Sequence, residues 1–383
     1  MIIFANVRKK SCTANRSSAN EPPPCSPRLS ARRRATWLTA IPEMPERPFI
    51  IATRGSALAL AQANAVFDQC RKAFPKLRFE LKIITTKGDK LQTAANSRQK
   101  TPLAKGLFTK ELEVALLRHH ADIAVHSLKD LPTELPAGLK LGAVCKRADW
   151  RDVLIYRDAA HLKTIAAAAV VTDWVPGQAE RRGLSPKSGV KDLPAGWKVA
   201  TGSPRRKAQL LALRPDIHVV EIRGNVPTRL QRLDERAEID ALILAAAGFE
   251  RLHFEIKPSG RLVGDAVPDG LLAVPLTMEE MLPCVGQGAI GIETRALDER
   301  VDELCVRLNH YNTFQAVTAE RAFLNAMGGG CLAPVAALAE TVGNQIHLRA
   351  VSYQTTPTRR TELKGHVKEA AALGEQAAAQ LKP

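Results

Sequence analysis

Phe49-Ile50-Ile51-Ala52-Thr53 is a short apolar, β-branched run, and Ser56 then precedes residues 57–74, in which Leu58, Ala61, Ala65 and Val66 recur at helical spacing. Strand, turn and helix follow from that order. The unit recurs as Trp197-Lys198-Val199-Ala200-Thr201, then Gly202-Ser203-Pro204, then a helix through Leu213 whose first position suits Pro204. A second matching unit follows each of these. Residues 111–119 read as a helix running into the strand Asp122-Ile123-Ala124-Val125-His126-Ser127, and residues 228–235 lead into Asp240-Ala241-Leu242-Ile243-Leu244-Ala245. The chain therefore contains two similar α/β halves. Alternating strands and helices imply mainly parallel sheets, with ligands at the carboxyl ends of the strands, between the halves.

Residues after about 297 read differently: an Ala- and Leu-rich helix over 314–325, then Met327-Gly328-Gly329-Gly330-Cys331-Leu332-Ala333-Pro334, then the strand Gln345-Ile346-His347-Leu348-Arg349-Ala350-Val351. This predicts a small α+β third domain. A length of 383 residues exceeds one ordinary core, and about 100–200 residues per domain also gives two or three. No run of about 18 apolar residues is present, so no helix is expected to span a membrane. The seven cysteines, Cys12, Cys25, Cys70, Cys145, Cys284, Cys305 and Cys331, are odd in number, scattered and never spaced as Cys-x-x-Cys. That pattern predicts a reduced, cytoplasmic protein without a zinc site.

The net charge of +16 invites a nucleic-acid partner, but residues 1–43 hold eight Lys/Arg against Glu21 and Glu43, a net +6 that leaves +10 to the body. This Ser-, Pro- and Arg-rich leader lacks periodicity and is expected to be disordered. It is a basic tail, a transit peptide, or sequence ahead of a true start at Met44. The near absence of aromatics from the basic regions argues against stacking on nucleic-acid bases.

Each half opens its first helix with hydroxyl and glycine residues, Thr53-Arg54-Gly55-Ser56 and Thr201-Gly202-Ser203, where free N–H groups and the helix dipole favour an anion. Arg54, Arg205, Arg206, Arg223, Arg229 and Arg251 crowd the same junctions. One such arginine is a solvated surface group; as a set on one rim, their fork geometry points to carboxylate or phosphate. Asp130 closes His126-Ser127-Leu128-Lys129-Asp130-Leu131-Pro132, just past a buried strand. By itself it reads as a helix cap or a partner of Lys129. In a cleft lined by cations, however, a lone aspartate can steady positive charge developing on a substrate or shuttle its protons. Three glycines carry Cys331 on a tight loop with open space beside it. That stretch alone reads more simply as core filler than as a reactive thiol, and the rest of the chain reverses the balance.

Other readings compete. Gly286-Gln287-Gly288-Ala289-Ile290-Gly291 matches a dinucleotide fingerprint, but Ile290-Gly291-Ile292-Glu293 alternates like a strand where that fingerprint needs a helix. His119, His120 and His126 lack ligand spacing with cysteine or acid partners and predict no metal. A two-lobed anion-binding protein would also use twin α/β halves with arginine-lined junctions, but has no use for a thiol on a glycine loop in an added domain.

Seven motifs occur in one order: Ile51-Ala52-Thr53-Arg54-x-Ser56, Lys105-Gly106-Leu107-Phe108, His126-Ser127-Leu128-Lys129-Asp130, Ser203-x-Arg205-Arg206, Arg223-Gly224-Asn225, Val285-Gly286-Gln287-Gly288 and Gly329-Gly330-Cys331. Together they resemble the porphobilinogen deaminase family over residues 49–351. The resemblance implies two doubly wound α/β domains of the type II periplasmic-binding-protein kind, residues 48–147 with 270–296 and residues 148–269. A small α+β domain over 297–383 follows. It further implies a monomeric transferase without nucleic-acid or membrane partners, whose cysteine holds a dipyrromethane cofactor, made from its own substrate, through a thioether. Four porphobilinogens are then added head to tail, each losing ammonia, and hydroxymethylbilane is released by hydrolysis.

Carried over by motif, Asp130 is the catalytic residue and Cys331 the covalent anchor. Ser127, Lys129, Thr201 and Ser203, with Arg205, Arg206, Arg229 and Gly248, would meet the cofactor. Arg54, Ser56, Lys105, Phe108, Arg223 and Arg251 would meet the substrate, whose acetate and propionate the arginines neutralise. Two departures stand out. Gln99-Lys100-Thr101-Pro102-Leu103-Ala104 replaces the glycines and lysine that usually precede Lys-Gly-Leu-Phe, leaving Lys100 a doubtful stand-in. Residues 166–171 and 174–187 read as extra material on the surface of the second domain, without a role.

Overall fold

The computed structural model describes residues 47–86, 88–89, 108–168, 180–328 and 330–382, with only the backbone of Cys331. The leader, the altered stretch 99–104 with Lys105, Gly329 and residues 169–179 of the insertion lie outside them. Among the described residues no helix is long and apolar enough to cross a membrane.

Five strands form the first sheet: β1 (Phe49–Thr53), β2 (Phe79–Ile83), β3 (Ile123–Ser127), β4 (Leu139–Val144) and β13 (Ile290–Arg295), in the order β2-β1-β3-β13-β4. The second contains β5 (Asp152–Asp158), β6 (Gly183–Leu184), β7 (Lys198–Ala200), β8 (His218–Val220), β9 (Ala241–Ala245) and β12 (Leu271–Pro275), in the order β8-β7-β9-β5-β12 with β6 beside β5. A short hairpin, β10 (Glu255–Ile256) and β11 (Leu262–Val263), precedes β12. In both sheets the first three strands are parallel, and a strand arriving from the other half, β13 or β5, runs antiparallel to both neighbours. Order and sense are thus the same twice, as expected of type II periplasmic-binding-protein-like halves. The sheets are mixed rather than mainly parallel because each crossing strand enters from the opposite end.

The sequence reading returns the chain to the first half at residue 270, but Leu271–Pro275 pairs with β5 of the second sheet, so the return falls after Pro275. Its continuous apolar run suits a buried strand in either sheet, and only the long-range pairing decides. The insertion is also less idle than its composition suggests. Gly183–Leu184 extends the second sheet as β6, and Arg182 pairs with buried Asp240 and lies 5.5 Å from the centre of the Trp197 ring.

The duplication reaches the polar side chains. Just before β3, the Asp122 carboxylate accepts the Ile50 N–H at 2.9 Å and pairs with Arg47. Just before β9, Asp240 accepts the Lys198 N–H at 2.8 Å and pairs with Arg182. Near its end, each crossing strand carries a buried arginine that bonds carbonyls at and just beyond the end of the helix leading into β3 or β9. Arg295 donates to Leu116 O and Ala121 O at 2.7 and 2.6 Å, while Arg157 donates to Arg236 O and Ile239 O at 2.7 and 2.8 Å. Leu116 O also accepts from His119 N–H at 3.0 Å and Arg236 O from Ile239 N–H at 3.2 Å, so each arginine ties a helix end to the turn that leads into the next strand.

The third sheet, β14 (Val335–Val342), β15 (Gln345–Ser352) and β16 (Arg359–His366), packs one face on the helices Tyr311–Ala326 and Ala370–Leu381. Its other face buries Ala336 and Leu338 against Leu282. The two chain segments that cross between the halves run side by side. Ala148 N–H donates to Gly288 O at 3.1 Å, and a Cβ at Gly288, whose φ is +84°, would lie 2.7 Å from Ala148 O. Only glycine fits that approach.

Glu320, on the helix Tyr311–Ala326, locks the third sheet to both crossings. Its buried carboxylate accepts from Arg147 at 2.6 and 3.1 Å, from Gly286 N–H at 2.7 Å and from Ala339 N–H at 2.8 Å. Replacing Glu320 by Ala strands the Arg147 charge and two N–H groups, so we expect a loss of about 3–5 kcal/mol of unfolding free energy. The partly exposed Arg349–Glu340 pair, at 2.7 Å, provides the control: Glu340→Ala should cost less than about 1 kcal/mol. Equal urea midpoints for the two variants would refute the assignment.

Candidate active site

β1 and β3 are adjacent and parallel, so Arg54 and the segment Ser127–Asp130 leave the first sheet at one end, a strand spacing of about 4.8 Å apart. The Gly286–Ala289 turn joins them there, with Leu128 N–H donating to Ala289 O at 3.0 Å. Ser56 caps the helix Ala57–Ala73, its hydroxyl accepting from Ala59 N–H. Ser127 and buried Gln62 are bonded side chain to side chain, at 2.8 Å from the Gln62 amide nitrogen. Asp130 ends a single 3₁₀ turn, Leu128–Asp130, and is exposed. Among the described residues its carboxylate has no hydrogen bond or ion pair, so the helix-cap reading does not apply.

Arg54 is held on two sides. Its Nε and Nη2 donate to Asp89 at 3.1 and 2.5 Å, and its guanidinium carbon lies 4.2 Å from the centre of the Phe108 ring. Burial alone would raise the Asp89 carboxyl, but hydrogen bonds from Arg54 and Thr86 outweigh it and hold Asp89 below the usual carboxylate range.

In the second half, Ser203 caps the helix Pro204–Leu213, as Ser56 does in the first, and the Thr201 hydroxyl accepts from Ser203 N–H at 3.2 Å. Arg205 and Arg206 are buried and share Asp152 at the start of β5. Arg205 Nη1 donates to Asp152 Oδ2 at 2.7 Å, while Arg206 Nε and Nη2 donate to Oδ1 at 3.1 and 2.7 Å. Gln287, from the other crossing, adds a fourth bond at 2.9 Å. The pair does not lie open on a rim, as sequence places it. Burial pushes the Asp152 carboxyl up, and the two guanidiniums more than reverse this, leaving it ionised well below its ordinary range.

A depressed carboxyl contributes stability above its unfolded pKa, about 3.9, and loses it as pH falls. The Asp152→Asn variant should therefore be less stable than the parent near pH 7. The deficit should narrow by about 1 kcal/mol between pH 5 and pH 3. Parallel stability–pH curves for the two proteins would contradict the shift.

Arg229 lies closest to an unsatisfied cation. Its Nε donates to Gly224 O at 2.8 Å, and no carboxylate bonds it among the described residues. Burial and the neighbouring Arg206 and Arg232 push its pKa down to about 10, against the pull of Asp130. The last effect brings Asp130 of one half into the electrostatic range of Arg229 of the other. Arg251 donates to Gly288 O at 2.7 Å, and Gly248 is buried within the helix Ala246–Arg251. Arg223 is exposed and paired with Glu221. Lys129 is half-buried on the Asp130 turn.

Cys331 sits in a 3₁₀ turn, Gly330–Leu332, with φ +74° at Gly328 and +54° at Gly330. Of the other described cysteines, Cys70, Cys145 and Cys305 are buried, and burial raises their thiols to about 12, 11 and 12. Those three are core groups that resist ionisation. His126 is likewise a core residue, its Nε2 lying 3.0 Å from buried Glu293.

The family model for "Porphobilinogen deaminase, dipyromethane cofactor binding domain" matches residues 49–303, and that for the C-terminal domain of the same enzyme matches residues 314–383. The chain belongs to the porphobilinogen deaminase family. It is 40% identical to porphobilinogen deaminase of Thermus thermophilus over 332 residues, which cover 86% of this chain and 93% of that protein. The Carboxydothermus hydrogenoformans enzyme is 38% identical over 340 residues, covering 88% and 94%. That of Syntrophomonas wolfei is 42% identical over 302 residues, covering 79% and 83%. The chain is thus a transferase of this family, acting on porphobilinogen with dipyrromethane as cofactor.

The donor set fits that cofactor, whose two rings carry carboxylate arms. Arg205 and Arg206 share a single protein carboxylate, Asp152, and Arg229 bonds no carboxylate among the described residues, so the second half has positive charge to spare for an anionic group. The residues that sequence reasoning missed are the internal partners: Asp89, Asp152, Gln62, Gln287 and Glu320. Each bonds a site or crossing residue far away along the chain.

Proposed function

We propose that the chain makes hydroxymethylbilane by stepwise condensation of porphobilinogen, with Asp130 as the catalytic carboxylate and Cys331 as the covalent anchor. The observation that carries the reading is the exposed, unbonded Asp130 within electrostatic range of Arg229, which bonds no carboxylate among the described residues. Arginines neutralise the carboxylates of the bound rings, which leaves Asp130 to stabilise positive charge on pyrrole nitrogen as ammonia departs. When bound, dipyrromethane supplies the pyrrole carbon to which substrate is joined. Ser127, Lys129, Thr201, Ser203, Arg205, Arg206, Arg229 and Gly248 would hold its arms and ring edges. Arg54, Ser56, Lys105, Phe108, Arg223 and Arg251 would receive the incoming substrate. Each charge-assisted bond contributes roughly 1.5–3 kcal/mol, enough to retain a growing polyanion without further covalent links.

We infer the same division into three domains, with the return to the first domain moved beyond Pro275, and a monomer working in the cytoplasm without nucleic-acid or membrane partners. The engagement of the buried arginines inside the fold supports this last point. Incubation with porphobilinogen tests the function: one ammonia should appear for each porphobilinogen consumed, together with an uncyclised tetrapyrrole detected by mass. Consumption without ammonia would refute it.

A further inference from the structure

We propose that Asp89 is a positioning residue that aims Arg54 at a carboxylate of the incoming porphobilinogen. The inference deepens the reading above, since it rests on Arg54 meeting substrate. Three features of the geometry carry it. Phe108 covers one face of the Arg54 guanidinium at 4.2 Å. Asp89 takes the Nε–Nη2 edge, with Oδ1 at 3.1 and 2.5 Å. Nη1 is left without an acceptor among the described residues, so the remaining donor of the fork is the one offered outward. Asp89 is itself fixed, accepting from Thr86 N–H at 3.1 Å and from the buried Thr86 hydroxyl at 2.8 Å.

The second half repeats the device: Asp152 Oδ1 takes the same Nε–Nη2 edge of Arg206. Edge-on capture by an internal carboxylate therefore occurs at both strand-to-helix junctions. A free arginine has several rotatable bonds that a ligand would have to freeze, and a pre-oriented fork avoids that cost. The opposing effect is repulsion between Asp89 and the substrate carboxylate. Both Arg54 and Asp89 side chains retain 17% exposure, so water screens that repulsion and orientation dominates.

The test compares Asp89→Asn, Asp89→Ala, Arg54→Ala and the Asp89→Ala/Arg54→Ala double variant, each as cofactor-loaded enzyme. Asp89→Ala should raise KM for porphobilinogen about tenfold, equivalent to about 1.4 kcal/mol, with kcat within about twofold. Asp89→Asn, which keeps the shape and one acceptor oxygen, should fall between it and the parent. Cofactor content by intact mass should be unchanged in both. In the Arg54→Ala background the Asp89 substitution should add nothing further to KM, because it acts through Arg54. A raised KM in Arg54→Ala with none in Asp89→Ala, a fall in KM in Asp89→Asn, or additive effects in the double variant would overturn the proposal alone. An unchanged KM in Arg54→Ala would overturn the substrate role of Arg54 as well.

Discussion

Replacing Asp130 by Ala should lower turnover about 100- to 1000-fold while leaving the folded protein nearly as stable as before. The size follows from what one positioned charge is worth at a developing charge in a water-excluded site, about 3–4 kcal/mol. The selectivity follows from position. Asp130 is exposed on a three-residue turn and no described residue bonds its carboxylate, so little folding energy is lost with it; surface changes of this kind cost about 0.5 kcal/mol or less. Asp130→Asn should be nearly as slow as Asp130→Ala, because the amide keeps the shape and loses the charge. Single-turnover rates at saturating porphobilinogen, read beside thermal melting curves, separate the two effects. Near-parental turnover in either variant would sink the catalytic role, and a large fall in melting temperature would make Asp130 a structural residue.

Local pattern was enough for the elements and for their duplication. β1 and β7, the helices behind them, and the strands after Asp122 and Asp240 are where apolar runs and capping residues predicted them. The strand over Ile290–Arg295 likewise appears where alternation contradicted a dinucleotide fingerprint. What local pattern could not supply was partnership. Arg206 and Asp152 are 54 residues apart, Arg54 and Asp89 are 35 apart, and Arg147 and Glu320 are 173 apart. Residue type revealed that Arg205 and Arg206 are cations near a helix start; it did not reveal that a buried carboxylate already claims part of each fork.

The same limit explains the misplaced return at residue 270 and the underrated insertion. Leu271–Pro275 is apolar enough for either sheet, and Arg182 matters only because Asp240 lies buried across from it. Asp122 and Asp240 are the instructive case. They stand at matching positions before matching strands, so the repeat itself was a legible signal that both carboxylates do the same work.

Replacing Cys331 by Ser should yield an enzyme without a thioether-linked cofactor and therefore without normal condensation. A thiol ionises near neutral pH readily enough to capture an electrophilic pyrrole, whereas a serine hydroxyl has no accessible anion there. The backbone supports a special role for this loop: Gly328 and Gly330 take φ of +74° and +54°, and nothing lies within 4 Å of where a Gly328 Cβ would be. Three of the other described thiols offer no substitute of equal character, since burial raises Cys70, Cys145 and Cys305 to about 12, 11 and 12. Intact mass of the purified variant should equal the polypeptide alone, while its melting temperature should resemble that of the parent stripped of cofactor. A Cys284→Ser control should keep the added mass, because Cys284 lies in the crossing segment, bonded to Gln287 at 3.4 Å. If Cys331→Ser retained both the cofactor mass and full activity, the anchor would be elsewhere; if Cys284→Ser lost the mass instead, it would be Cys284.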